Sequence, residues 1–259
     1  MRRPAALIIL CFFFALGVRA LAQQESTERI EIGLSTEVIE ITSNFAGETL
    51  TIFGSVDNID PLVQRQGRYD VVVVLSGPVA DLTARRKDRV LGVWMNVDEL
   101  ALPNVPLSYL ITSTRFVRDM AERPTIERLA LDIASLNLVR DEDIRRNNEV
   151  FLEEVRRLKV DEALYRSFPG GVQFISQSLF RARLELPANV PLGQHVARAY
   201  LFKQGGLVGQ TNATLNIRKA GLEFAVFEFS RDQSAAYGLL SVLAALVIGW
   251  LGRIVFRRD

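Results

Sequence analysis

YDVVVVL, at positions 69–75, is apolar without a break from Val71 onward. Successive side chains of a strand point to opposite faces, so a run that is apolar at every position predicts a strand covered on both. Ser76, Gly77 and Pro78 end it.

Upstream the pattern is the half-buried kind. Ile30, Ile32 and Leu34 alternate with Glu31 and Gly33, and Val38, Ile39 and Ile41 follow. Leu50, Ile52 and Gly54 then alternate with Thr49, Thr51 and Phe53, after a turn at 44–47. Downstream comes the densest charge cluster in the chain, Arg85, Arg86, Lys87, Asp88 and Arg89. It reads as a solvated loop between strands, or as a grip for an anion or a protein partner. The next strand is expected at 90–97, with Leu91, Val93, Met95 and Val97 on one face and Trp94 and Asn96 on the other. Its apolar character on both faces predicts cover on both.

Helical spacing takes over in the middle. Ile126, Leu129, Ala130, Ile133 and Leu136 form one apolar stripe, and Ile144, Phe151, Leu152, Val155 and Leu158 another. The reading is a helical insertion at 108–168 lying against a sheet. Strands return at 172–176, 179–186, 195–202 and 207–217, with a last Phe-rich strand at 222–229. Strands about ten residues apart, separated by turn signals, point to a sandwich. The expected fold is mainly β: one immunoglobulin-like β-sandwich, 23–107 and 169–230, split by the helices. Two small β domains joined by helices is the second choice.

The two ends carry a different signal. Residues 235–252, AAYGLLSVLAALVIGWLG, hold no charge and are followed by Arg253, Arg257 and Arg258. Eighteen helical residues span roughly 27 Å, close to a bilayer core of about 30 Å. Arg2 and Arg3 precede a shorter apolar run that ends in Ala20-Leu21-Ala22, which has the form of a secretory signal peptide over 1–22; a retained anchor is the alternative. With the signal removed, the bulk lies outside the cytoplasm and the basic tail, 253–259, inside. Ser241, Ala245 and Gly249 recur every fourth residue of the membrane helix and could form a packing face for another helix.

Composition narrows the function classes. Residues 23–233 hold 25 basic and 29 acidic side chains, too balanced for a nucleic-acid footprint. Cys11, the one cysteine, lies in the signal segment, so the exported part has no disulfide and depends on its core. No cofactor, metal or catalytic set is expected. His195, the one histidine, reads as a strand-face residue, and Asp57, Asn58 and Asp60 as a turn with calcium as the minor alternative.

A series of short motifs adds a resemblance. Phe45-Ala46-Gly47, Phe53-Gly54, Gly77-Pro78, Arg85-Arg86-Lys87 with Gly92-Val93-Trp94-Met95-Asn96, Pro191-Leu192-Gly193 and Tyr237-Gly238 together resemble the alphaproteobacterial putative transmembrane protein family. The resemblance covers most of the chain, and it implies a bacterial inner-membrane protein with its bulk in the periplasm. It brings no catalytic or ligand residues. The expected function is a non-enzymatic accessory subunit, with an inner-membrane protein as partner; a ligand- or ion-binding sensor or carrier domain is the alternative.

Overall fold

The structure is a computed structural model, and it describes residues 28–139, 142–220 and 222–255. The signal segment and the last arginines, Arg257 and Arg258, lie outside the described residues.

The strand at the centre is β4 (Tyr69–Ser76). It sits inside a six-stranded sheet with β2 (Val38–Ile41), β7 (Tyr109–Ser113), β8 (Tyr165–Pro169), β11 (Gly193–Lys203) and β12 (Gly206–Lys219), in the order β2-β12-β11-β4-β7-β8. A second sheet holds β1 (Arg29–Leu34), β3 (Glu48–Asp57), β9 (Val172–Phe174) and β10 (Leu179–Leu186), in the order β1-β3-β10-β9. The remaining strands, β5 (Val79–Val90) and β6 (Val93–Pro106), pair with each other as a separate hairpin. Most pairings are antiparallel; β2–β12 and β7–β8 are parallel.

The uninterrupted run in β4 has the cover it predicts, and its alternation sorts the side chains into two cores. Val71, Val73 and Leu75 face the smaller sheet, joined by Ala197, Ala199 and Leu201 of β11 and by Ile52, Phe180 and Leu184. Val72 and Val74 face the other way, into a core with Ile111, Tyr200, Phe202, Leu131 and Leu152. One strand thus ties two layers together, and fully burying each of its valines contributes about 1.5–3 kcal/mol.

The helices are α1 (Pro61–Arg65), α2 (Arg123–Leu129), α3 (Glu142–Asn147), α4 (Glu149–Asp161), α5 (Leu222–Asp232) and α6 (Ser234–Val255), with a 3-10 turn at Val117–Asp119. Of these, α2 and α4 supply the second cover, through Ile126, Leu129, Leu152 and Val155. The helical insertion expected at 108–168 is shorter than that: Tyr109–Ser113 and Tyr165–Pro169 at its two ends are β7 and β8 of the main sheet, paired with each other, and only the stretch between them is helical. Two buried tyrosines pin this layer. Tyr109 donates to the Ala130 carbonyl at the end of α2 (2.9 Å), and Tyr165 donates to the Pro106 carbonyl at the root of the hairpin (2.6 Å).

Two other expectations from the sequence change. The Phe-rich stretch 222–229 is not a strand but the body of α5. It runs almost directly into α6, with the Gln233 and Tyr237 amides bonded to the Phe229 and Gln233 carbonyls. Sharing the nucleation cost with a following long helix favours helix over the strand its phenylalanines suggest. The strand expected at 90–97 has cover on neither face. Leu91 and Gly92 form its turn, with φ of +50° and +87°, and the strand itself starts at Val93.

Candidate partner-binding site

The outer half of the hairpin is a part of the protein that its own core does not use. Near its root the inward residues are buried: Leu102 and Val105 fully, Leu82, Ala84 and Leu100 in part. Beyond Arg85 and Glu99 every residue on both strands is exposed. Two irregularities in the ladder, at Ala80/Leu82 and Arg86/Lys87, bend and twist it. At the first, Asn104 takes φ of +56° and its amide donates to the Asp81 carboxylate at 2.9 Å.

Its tip is apolar and open. Leu91 is 99% exposed, Trp94 69% and Val93 66%, with Met95 and Val97 beside them. A scattered exposed leucine needs no explanation, but five large apolar residues exposed on one free tip, Trp94 on one face and the others on the opposite one, are a concentration of the kind that marks an interaction site. Tryptophan is enriched where such surfaces dock.

The basic run lies on β5 itself and not in a loop. Arg85 and Arg86 stand opposite Glu99 and Asp98 in the ladder, with N–O distances of 3.5 and 3.8 Å. Arg89 donates from Nε to the Gly92 carbonyl at 3.1 Å, bracing the turn. Lys87 has no ion-pair partner among the described residues. Half of the cluster is therefore neutralised across the hairpin, which leaves a mixed-charge stem under an apolar tip. Between this stem and α4 runs an open groove of about 800 Å³, lined by Leu82, Arg86, Val150, Leu158 and Lys159 among others. Val150 is 82% exposed there.

The hairpin and the membrane helix leave the main sheet from one edge. Ser76, at the end of β4, pairs with Val196 near the start of β11, and Ile217, at the end of β12, pairs with Gly193. β4 and β12 flank β11, two strand spacings apart, and β12 runs three to five residues past the level of Ser76, so their ends are roughly 15–20 Å apart. One leads into the hairpin, the other into α5 and α6.

α6 carries the one candidate membrane span among the described residues, Ser234–Arg253. None of that span is buried against the rest of the protein, and Leu246, Ile248 and Trp250 are each more than 60% exposed. A core helix of a soluble protein would be covered. Ser241 also donates its hydroxyl back to the Tyr237 carbonyl (2.8 Å), so its polar group is satisfied within the helix. Ala245 and Gly249 follow it on the same face of α6, and nothing lies within 4 Å of the Cβ position at Gly249.

Other candidate residues are accounted for within the fold. His195 is fully buried on β11. Its Nε2 lies 3.2 Å from the Ser108 hydroxyl and its Nδ1 3.2 Å from the Gly193 carbonyl. This serine–histidine contact joins residues far apart in sequence and was not legible there. Both groups are buried beneath Gly77, where an added Cβ would fall 2.2 Å from the Ser108 oxygen, and neither has a surface for a substrate to reach. Burial lowers the His195 pKa, partly opposed by the Gly193 carbonyl.

Asp60 accepts from the Leu62 amide at 2.9 Å and caps α1, which is a structural use of the acidic loop at 57–60. No group of three or more metal-ligating side chains occurs among the described residues. Asp70 is buried and takes a two-pronged ion pair from Arg115 (2.9 and 2.7 Å) plus the Thr114 hydroxyl (2.9 Å), which fastens the start of β4 to the end of β7.

Among solved structures, the sporulation control protein Spo0M from Bacillus subtilis is 10% identical, with 80% of this chain and 56% of that one covered and a TM-score of 0.27. The chain therefore spans a little over half the length of Spo0M. AggA, the major subunit of aggregative adherence fimbriae type I from Escherichia coli, is 10% identical over 74% of this chain and 95% of that one, with a TM-score of 0.25. Likeness at that level carries no argument about fold or activity. No curated protein matches the chain. The family model described as "Putative transmembrane protein (Alph_Pro_TM)" matches residues 29–258, and with its β-rich body and, among the described residues, one exposed apolar helix, the chain belongs to that family.

Proposed function

We propose that this protein is a non-enzymatic accessory subunit of the bacterial inner membrane, whose β5–β6 hairpin holds a partner protein beside its anchor. The observation that carries the reading is the hairpin tip: Leu91, Val93, Trp94 and Met95 are exposed together on an arm that the core does not need. The shared end of the sheet supports a membrane partner, because the arm is rooted roughly 15–20 Å from where the chain leaves for the membrane helix. On this reading the signal over 1–22 is cleaved, residues 28–220 form an immunoglobulin-like sandwich with a helical layer in the periplasm, and the tail stays in the cytoplasm. The facing sheets and their common core support the sandwich. The alternative ligand site at 57–60 gains nothing from an aspartate already used as a helix cap.

The test is a crosslinked pulldown from native membranes, with three arms: wild type, Leu91→Ser with Trp94→Ser, and a chain whose 234–255 helix is replaced by an unrelated span. One membrane protein captured by wild type and lost in the hairpin variant is the expected result. Capture unchanged by the hairpin variant removes the arm from the reading, and capture of nothing by wild type removes the subunit reading itself.

A further inference from the structure

A second surface, on the helical layer, has the opposite character. Arg118, Arg123, Arg128, Arg145, Arg146 and Arg156 line one open groove of about 920 Å³ between α2 and the α3–α4 pair. Glu127, Asp132 and Glu149 line it too, so arginines outnumber acids there by six to three. Glu127 is already engaged by Arg123 at 3.0 Å, and Arg145 is held by the Asn137 carbonyl oxygen at 3.1 Å and by Glu142 at 3.2 Å. Arg128 has no partner among the described residues and faces the groove free.

Arg156 is the unusual member. Its Nη2 donates to the Leu136 carbonyl at 3.3 Å, but its Nε is buried with no acceptor, the one such side-chain atom among the described residues. Buried guanidinium groups are normally fully hydrogen-bonded, because an unmatched donor loses its water without compensation. Burial disfavours its charge, and so does the nearby Arg145; Glu153 and Glu149 offset this only in part. Guanidinium groups crowded at one groove, one with an unmatched donor, fit an anion with several oxygens.

We propose that this groove is an anion site for a ligand carrying a phosphate group, with the half-buried Arg156 as its anchor and Arg128 and Arg145 as its flanking contacts. The site does not involve the hairpin, so it stands or falls separately from the partner reading. Phosphate could come from a free metabolite or from a lipid headgroup, and the arms of the test distinguish them.

Full-length protein in phosphatidylcholine nanodiscs is titrated with inorganic phosphate by calorimetry, at ionic strength matched with chloride. Saturable binding is expected, weakened about tenfold or more in Arg156→Gln and in Arg128→Gln and unchanged in Arg29→Gln. Arg128 is exposed, so its variant keeps the test decisive if Arg156→Gln disturbs the fold. In discs containing phosphatidylglycerol, retained binding assigns the site to a free anion and lost binding to a headgroup. No saturable heat in phosphatidylcholine discs, or heat unchanged in both variants, overturns the proposal.

Discussion

Gly54→Ala tests how tightly neighbouring strands of the smaller sheet are packed. Gly54, on β3, stands opposite Phe180 of β10 on one side and Ile32 of β1 on the other. A Cβ at Gly54 would fall 2.2 Å from Phe180 Cζ, 2.6 Å from its Cε1 and 2.7 Å from the Glu31 carbonyl oxygen. The ring cannot easily swing away, because it is fully buried and packs edge-on against Phe174 at 6.0 Å. Overpacking of this kind costs about 1–3 kcal/mol, and the backbone contact pushes the value to the upper end. Phe180→Leu alone removes roughly two methylene equivalents of packing, about 1.5 kcal/mol. Combined, the two should cost about 1 kcal/mol less than their sum. The shorter side chain vacates the ring position, while the Glu31 oxygen still obstructs. The assay is urea unfolding of the four proteins in mild detergent, followed by circular dichroism, with the shift in midpoint read at constant slope. A neutral Gly54→Ala, or a pair of changes additive to within about 0.5 kcal/mol, refutes the argument that ring and glycine are fitted to each other.

Three further outcomes follow from other sites. His195 has its pKa lowered by burial, so its contribution is fully present above the ordinary histidine value of 6.5 and is lost as pH falls below it toward the folded-state value. Thermal unfolding at pH 7.5, 6.5 and 5.5 should show a steeper loss for wild type than for His195→Asn, which is less stable throughout but flatter; equal slopes contradict a buried neutral ring. Asp70→Ala should lower stability by about 2–3 kcal/mol by denaturant unfolding, short of a fully buried pair because the Arg115 side chain is 49% exposed and can rehydrate. Leu91→Ser with Trp94→Ser should leave the unfolding midpoint within about 0.5 kcal/mol of wild type, since neither side chain touches the core; a larger loss would make the tip part of the fold.

Local sequence pattern carried most of the layered architecture. Alternation at β1, β3 and β10 and the unbroken run in β4 each record how many faces of a strand are covered, and the helical stripes record which side of a helix is. The charge-free stretch at 235–252 likewise needs no neighbour to explain it, because its length and composition alone match a bilayer. Where the signal was misleading, the cover was at issue. The pattern at 90–97 reports that apolar side chains are present on both faces, but a periodicity cannot say whether this chain supplies their contact, and it does not. The stretch at 222–229 has the phenylalanine content of a strand, and its continuation into α6 favours the helix.

The pairings between distant segments were out of reach of any local reading. Nothing near Val38 or Tyr165 announces the parallel neighbours β12 and β7, and nothing near Ser108 announces His195. The Arg156 groove joins α2 to α4 across more than twenty residues, and its arginines read singly as ordinary solvated charge. Sequence by itself determined which residues avoid water, because hydrophobicity and its period are properties of the chain. Only the tertiary structure decided which of them find one another and which, like the hairpin tip and the Arg156 donor, are left without a partner, because contact and charge neutralisation depend on what the fold brings into reach.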